Sequence, residues 1–282
     1  MLEVIEDALV DSIKLLPFLF ITYLIMEYIE HRTSDKVKQT IKKSGKFGPI
    51  YGSILGAFPQ CGFSVAATNF YSARVITLGT LIAVYLSTSD EMLPILISEA
   101  VPITTILAII GIKIVIGIIS GGLIDIVFRK KNIKEEENIV DLCEKEHCHC
   151  EKGILKSSIK HTINIFVFIL LITLVINVLI YFIGEETVSS FISTKPILGP
   201  VIAGIIGLIP NCASSVIITK MYLSNVINLA TMMTGLLVGA GVGLIVLFKT
   251  NKGIKNNIKI TFLLYAIGVL VGIVLELLKV SI

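Results

Sequence analysis

Charge is scarce in this chain. Only 16% of its 282 residues are Asp, Glu, Lys or Arg, against 54% that are hydrophobic, and the mean hydropathy is +0.89. A water-soluble domain of this length needs a charged surface, and this composition cannot supply one. Lipid is the expected solvent for most of the chain. The polar–apolar alternation of β-barrel strands is also missing, so the spans are expected to be helical. There is no Walker-type phosphate loop, which argues against direct coupling to ATP hydrolysis. The N-terminus, Met1-Leu-Glu-Val-Ile-Glu-Asp7, is acidic where a secretory signal is basic, and no small-residue cleavage site follows it. The first apolar run is therefore expected to stay as a membrane helix. The cysteines are Cys61, Cys143, Cys148, Cys150 and Cys212, an odd number in two settings, which does not fit a secreted disulfide framework. A net charge of +3, with the basic residues in short loops, gives no nucleic-acid-binding surface. Neither an enzyme's catalytic site nor a resident cofactor is expected.

What the chain does have is long apolar runs, at Leu15 to Met26, Val75 to Leu86, Ile103 to Phe128, Ile163 to Ile183, Ile197 to Ile209, Val226 to Phe248 and Ile260 to Leu278. Several can cross a hydrocarbon core of roughly 30 Å. The runs belong to an internal repeat. Placing Pro59 on Pro210 sets an offset of 151 residues, which holds from Gly48 to about Val127. At that offset Gly48-Pro49 falls on Gly199-Pro200, Gly56 on Gly207, Cys61 on Cys212, Thr68 on Thr219, Tyr71 on Tyr222, Thr80 on Thr231, Gly117 on Gly268 and Gly121 on Gly272. Apolar coincidences between membrane segments mean little, but Pro, Cys, Gly and Tyr recurring at one offset mark a duplication.

Orientation follows from the basic residues. Arg32, Lys36, Lys38, Lys42, Lys43 and Lys46 place the segment from His31 to Lys46 in the cytoplasm, as do Arg129 to Lys131 and Lys249 to Lys259 for their own boundaries, while Glu99 and Glu185-Glu186 belong outside. These assignments agree only if Gly48 to Tyr71 is a re-entrant hairpin from the cytoplasm and Gly199 to Tyr222 one from outside. Each repeat then has three spanning helices and one broken hairpin, and the second is inverted. The expected fold is thus all-α and polytopic. Its units are a first membrane repeat at 1–128, a cytoplasmic Cys/His-containing linker at 129–156 and a second membrane repeat at 157–282. Inverted repeats with broken helices belong to secondary transporters, whose sites lie near the midplane.

Gly56-Ala-Phe-Pro-Gln-Cys-Gly-Phe-Ser64 and Gly207-Leu-Ile-Pro-Asn-Cys-Ala-Ser-Ser215 occupy the middles of the two hairpins. Proline breaks the helix and leaves main-chain groups that need protein, water or a ligand at membrane depth. Gln60 and Asn211 add amide oxygens, and Cys61 and Cys212 add soft sulfur that favours transition or heavy metals. The alternative is a kinked turn with two inert buried cysteines. The first repeat is expected to carry a second break that the other lacks, because Leu86-Ser-Thr-Ser-Asp-Glu-Met-Leu-Pro94 falls on a stretch inside an uninterrupted apolar span. Asp90 and Glu91 would then lie within the membrane, where ionisable residues are functional by default, with mid-span Lys113 as a partner. The alternative makes Ser87 to Glu91 a helix cap in an outer loop. In the linker, Cys143, His147, Cys148, His149 and Cys150 match no structural zinc spacing and suit a mobile capture site, or simply a solvated loop. Asp11, Lys14, Glu27, Glu30 and His31 bracket the first span, where interfacial snorkelling is the usual explanation, and Glu27 alone is deep enough to be a proton-carrier candidate. Asp125 and Glu276 are expected to cap or pair locally, and Gly117/Gly121 and Gly268/Gly272 to form close-packing faces.

With the opening span ending in Glu27-Tyr-Ile-Glu-His31, the Pro-Gln-Cys and Pro-Asn-Cys pair, and Ser87-Thr-Ser-Asp-Glu-Met-Leu-Pro94, the chain resembles the ten-transmembrane heavy-metal exporter family, variously labelled arsenic efflux protein or manganese transporter. Counting each hairpin as two segments gives that family's ten. The resemblance implies export of a metal or metalloid. The expected protein is an inner-membrane secondary transporter for a transition-metal or thiophilic ion, embedded in lipid and compatible with a homo-oligomer. Its substrate-binding residues would be Gln60, Cys61, Ser64, Ser87, Thr88, Ser89, Asp90, Glu91, Asn211, Cys212 and Ser215. Asp90, Glu91, Lys113 and Glu27 would couple transport to protons. Cys61, Cys212, Asp90, Glu91 and the linker ligands would hold metal. The rival readings are an anion or arsenite-type permease, a metal-sensing membrane protein and an intramembrane thiol enzyme.

Overall fold

The computed structural model describes residues 9–10, 13, 16–17, 20–21, 23–24, 45–59, 62–89, 92–135, 154–183 and 198–280. From Gly48 onward the first half forms α1 (Gly48–Gly56), α2 (Gly62–Ser72), α3 (Leu78–Ser87), α4 (Met92–Ser98) and α5 (Ile103–Glu135). After α6 (Ile154–Ile183), the second half forms α7 (Leu198–Gly207), α8 (Cys212–Leu223), α9 (Leu229–Val238), α10 (Val242–Thr250) and α11 (Ile254–Leu277). No strand occurs among the described residues. Helices α5 and α6 extend into the linker segment from both sides.

The offset of 151 residues recurs in the elements. Helices α3 and α9 begin and end at corresponding residues, and α5 and α11 begin at Ile103 and Ile254. The local chemistry recurs with them. Arg74 (φ 63°) and Asn225 (φ 57°) turn the chain out of α2 and α8 in the left-handed region. Thr77 caps α3 by accepting from the Thr80 N–H, as Asn228 caps α9 by accepting from the Thr231 N–H. Asp125 accepts from the Thr77 hydroxyl at 2.7 Å and the Gly79 N–H at 2.9 Å, while Glu276 accepts from the Asn228 amide at 2.6 Å. These carboxylates were expected to cap or pair locally; they instead tie α5 to the start of α3 and α11 to the start of α9. The glycine faces pack as expected: a Cβ on Gly117 would lie 2.5 Å from Ser53 Oγ, and one on Gly272 would strike Thr234 Oγ1.

Among the described residues, four segments are long and apolar enough to cross a membrane: Leu78–Ser98, Ile103–Phe128, Leu229–Thr250 and Ile254–Leu277. The chain is a multi-pass membrane protein. Leu229–Thr250 is 89% buried within the protein, whereas Ile103–Phe128 and Ile254–Leu277 are 22% and 28% buried, so the interrupted spans form the core and the continuous ones its rim. The structure corrects one expectation. The second break is not confined to the first repeat, because α9 stops at Val238 and α10 starts at Val242. Gly241, at φ 54° and ψ −142°, turns the chain in a region that residues with a Cβ scarcely enter. Glycine leaves a hydropathy profile apolar while letting the backbone turn.

The halves interlock. Helix α2 packs on α10, and α8 packs on α4. Gly48 of α1 abuts Thr80 in the first turn of α3, and Gly199 of α7 abuts Thr231 in the first turn of α9. One apolar cluster joins Tyr71, Leu81 and Leu86 to Leu244, Leu247 and Ile260, and another joins Met92 and Leu96 to Ile217, Met221 and Met232. Each cluster draws on both halves.

Candidate functional site

Helix ends converge in the buried core. Helix α1 ends with Gly56 against Ser87, the last residue of α3, and α7 ends with Gly207 against the carbonyl of Gly235 in α9. Each first half-helix thus stops beside the break in its neighbour. Around the end of α3 stand three buried hydroxyls, Ser87, Thr88 and Ser89. Ser87 donates to the carbonyls of Ala83 (2.9 Å) and Val84 (3.1 Å), Thr88 to Val84 (2.8 Å), and Ser89 to Ser87 (3.0 Å). A hydroxyl has one proton, so each of these presents lone pairs to any other partner.

Lys113 is 0% exposed and lies near the middle of the Ile103–Phe128 span. Its ammonium donates to the carbonyl of Thr88 and, at 3.0 Å, to the carbonyl of Leu236. Thr88 caps the C-terminus of α3, where helix carbonyls lose their N–H partners. Leu236 lies in the last turn of α9, and the Ala240 N–H that would continue the ladder to it bonds Val238 instead at 2.8 Å. Lys113 therefore joins the carbonyl ends of two interrupted helices, one from each half. At the corresponding position of α11 stands Leu264, equally buried.

A second crossing contact flanks the same break. Tyr85, 0% exposed, shares a hydrogen bond with the Thr68 hydroxyl at 2.6 Å and donates to the carbonyl of Gly243 in α10 at 3.2 Å. The Thr68 oxygen also lies 2.7 Å from the carbonyl of Ser64 and 3.2 Å from that of Gly243, so the two hydroxyl protons are shared among these acceptors. Gly243 packs tightly against Ser64 here: a Cβ on it would lie 3.0 Å from the Ser64 Cβ, so the neighbour would have to give way. Tyr85 and Thr68 were not among the sequence-derived candidates. The available signal was the asymmetry of the repeat, which sets Tyr85 opposite Leu236.

Of the expected site residues, the structure brings Thr88 onto Lys113 and buries Ser64, Ser87 and Ser89 in the same core. Asn211 is buried at the N-cap of α8, with no side-chain cap bond, and Ser215 is half-buried one turn on. Helix α8 begins at Cys212, whose side chain lies outside the described residues, as do Gln60, Cys61, Asp90, Glu91, Glu27, Cys143, His147, Cys148, His149 and Cys150. Among the described residues no group of three or more His, Cys, Asp or Glu could hold a metal ion. Among the described residues, two buried polar atoms, Ser53 Oγ and Asn69 Nδ2, have no hydrogen-bond partner.

Residues 1–187 match a family model described as "Putative, 10TM heavy-metal exporter". No curated protein and no solved structure gives a match.

Proposed function

The chain belongs to this 10TM heavy-metal exporter family, matched over 1–187 of its 282 residues, and on that premise we propose that it is a secondary transporter exporting a transition-metal or thiophilic cation. The observation that carries the reading is the meeting of half-helix ends from both halves around Lys113 at mid-span. Interrupted helices inside a membrane protein are tolerated where they line a site, and transporters place such sites between repeats. The two halves are read as inverted repeats and the α1–α2 and α7–α8 pairs as re-entrant hairpins. Supporting this, Gly48 and the short 73–77 connection both place the ends of the first pair beside the start of α3.

A cation is favoured over an anion because the buried hydroxyls of Ser87, Thr88 and Ser89 have their protons engaged and present lone pairs. Soft thiolate from Cys61 and Cys212 and charge from Asp90 and Glu91 would complete the site, and these carboxylates favour a divalent metal over neutral arsenite. A proton gradient acting through Asp90, Glu91, Lys113 and Glu27 would drive export. The Cys143 to Cys150 linker would gather metal on the cytoplasmic side of the cell membrane.

The anion reading keeps one observation in its favour, the positive charge of Lys113 itself. Replacing both thiols separates the two. In cells expressing the protein, Cys61→Ser with Cys212→Ser should restore metal accumulation to the level of cells lacking it. Accumulation as low as with the unmodified protein would exclude the thiols from the site.

A further inference from the structure

The Lys113 ammonium is a monovalent cation on a tether, and its surroundings are those of a cation site. Its two main-chain acceptors come from different halves of the protein, Thr88 at the end of α3 and Leu236 in the last turn of α9. Both helix ends carry the negative pole of their backbone dipoles, and carbonyl oxygens are hard ligands that suit alkali cations better than thiophilic metals. The α9 end is shaped for this: the Ala240 N–H folds back to Val238, leaving the Leu236 carbonyl to accept from outside its helix. The corresponding Leu264 fills its place in α11 with an apolar side chain at 0% exposure.

We propose that the carbonyl oxygens of Thr88 and Leu236 form a site for a small monovalent cation, and that Lys113 fills it with its own ammonium group in place of sodium or potassium. The protein thus holds the two halves together across the midplane with a covalently attached ion. Unwound or terminal helix carbonyls bind coupling cations in transporters generally, so the tethered ammonium makes a dissolved alkali cation unnecessary. The two carbonyls adjoin the hydroxyls, thiols and carboxylates read as the substrate ligands but are not among them, and their affinity for a monovalent cation does not depend on which substrate is carried.

Lys113→Ala removes the ammonium and the chain that delivers it, and leaves the carbonyls in place. The test is the melting temperature of the full-length variant in detergent, titrated with sodium, potassium or methylammonium chloride against choline chloride at equal ionic strength. The expected result is a saturable rise with methylammonium or an alkali cation and none with choline, while the unmodified protein responds alike to all four. A variant that responds alike to all four, or no differently from the unmodified protein, overturns the proposal. If the variant cannot be isolated in choline, the yield of monodisperse protein extracted in each salt replaces the melting temperature. A higher yield in methylammonium or an alkali salt supports the site, and equal yields, including none in any salt, overturn it. Because no step of this test measures transport, failure of the exporter reading would leave its outcome unchanged.

Discussion

Ser72 Oγ and Thr250 Oγ1 lie 2.8 Å apart, joining the last residue of α2 to the last residue of α10. Ser72 leads through a short connection to the start of the first broken span, while Thr250 ends the second. This contact supports the proposed inverted arrangement, in which the start of one broken span shares a face of the protein with the end of its counterpart. In parallel repeats the two ends would lie together instead. The expected outcome is that single cysteines placed near Lys42 and near Lys252 react with an impermeant thiol reagent only from the cytoplasm, and one near Glu185 only from outside. Labels at Lys42 and Glu185 that report the same side would make the repeats parallel.

The glycine break in the second repeat has its own signature. Gly241→Ala places a Cβ on a backbone at φ 54° and ψ −142°, which should destabilise the protein by about 1–3 kcal/mol. Thermal unfolding of the detergent-solubilised variant measures it. Gly122→Ala serves as the control, because nothing lies within 4 Å of a Cβ added there. Equal stability of the two variants would mean that the turn at Gly241 is not required.

Much of this architecture was legible in the sequence, and the reasons differ by element. The duplication could be read because Pro, Gly and Tyr are constrained by backbone and packing, so Gly48 and Gly199 keep the same neighbours, Thr80 and Thr231. The break at Gly239 to Gly241 could not, since hydropathy records side chains and that break lies in backbone torsion. Lys113 stood out as a charge in an apolar span. Of its described partners Thr88 was a candidate through its hydroxyl, but the contacts of Thr88 and Leu236 with Lys113 could not be read, because they run through main-chain carbonyls, which every residue has. Tyr85 reads as an ordinary apolar-span tyrosine until Gly243 of the other half is brought to its hydroxyl.

The acidic residues beside Ser89 are tested through Lys113. If one of them pairs with the buried ammonium, Asp90→Asn or Glu91→Gln leaves a charge uncompensated, a change that commonly costs about 3–5 kcal/mol. Neutralising Lys113 together with the paired carboxylate should then be less harmful than the sum of the single changes. A double-mutant cycle on thermal stability measures the coupling. Additive effects within about 0.5 kcal/mol would place both carboxylates away from Lys113.

The most direct test of the account is flux through the purified protein in proteoliposomes. The vesicles are offered manganese, zinc, cobalt and cadmium ions beside arsenite and phosphate, with and without an imposed proton gradient. The account predicts saturable movement of at least one of the divalent metals, accelerated by the gradient and abolished in both Asp90→Asn and Glu91→Gln. Movement of arsenite or phosphate alone, unaffected by those two changes, would contradict it.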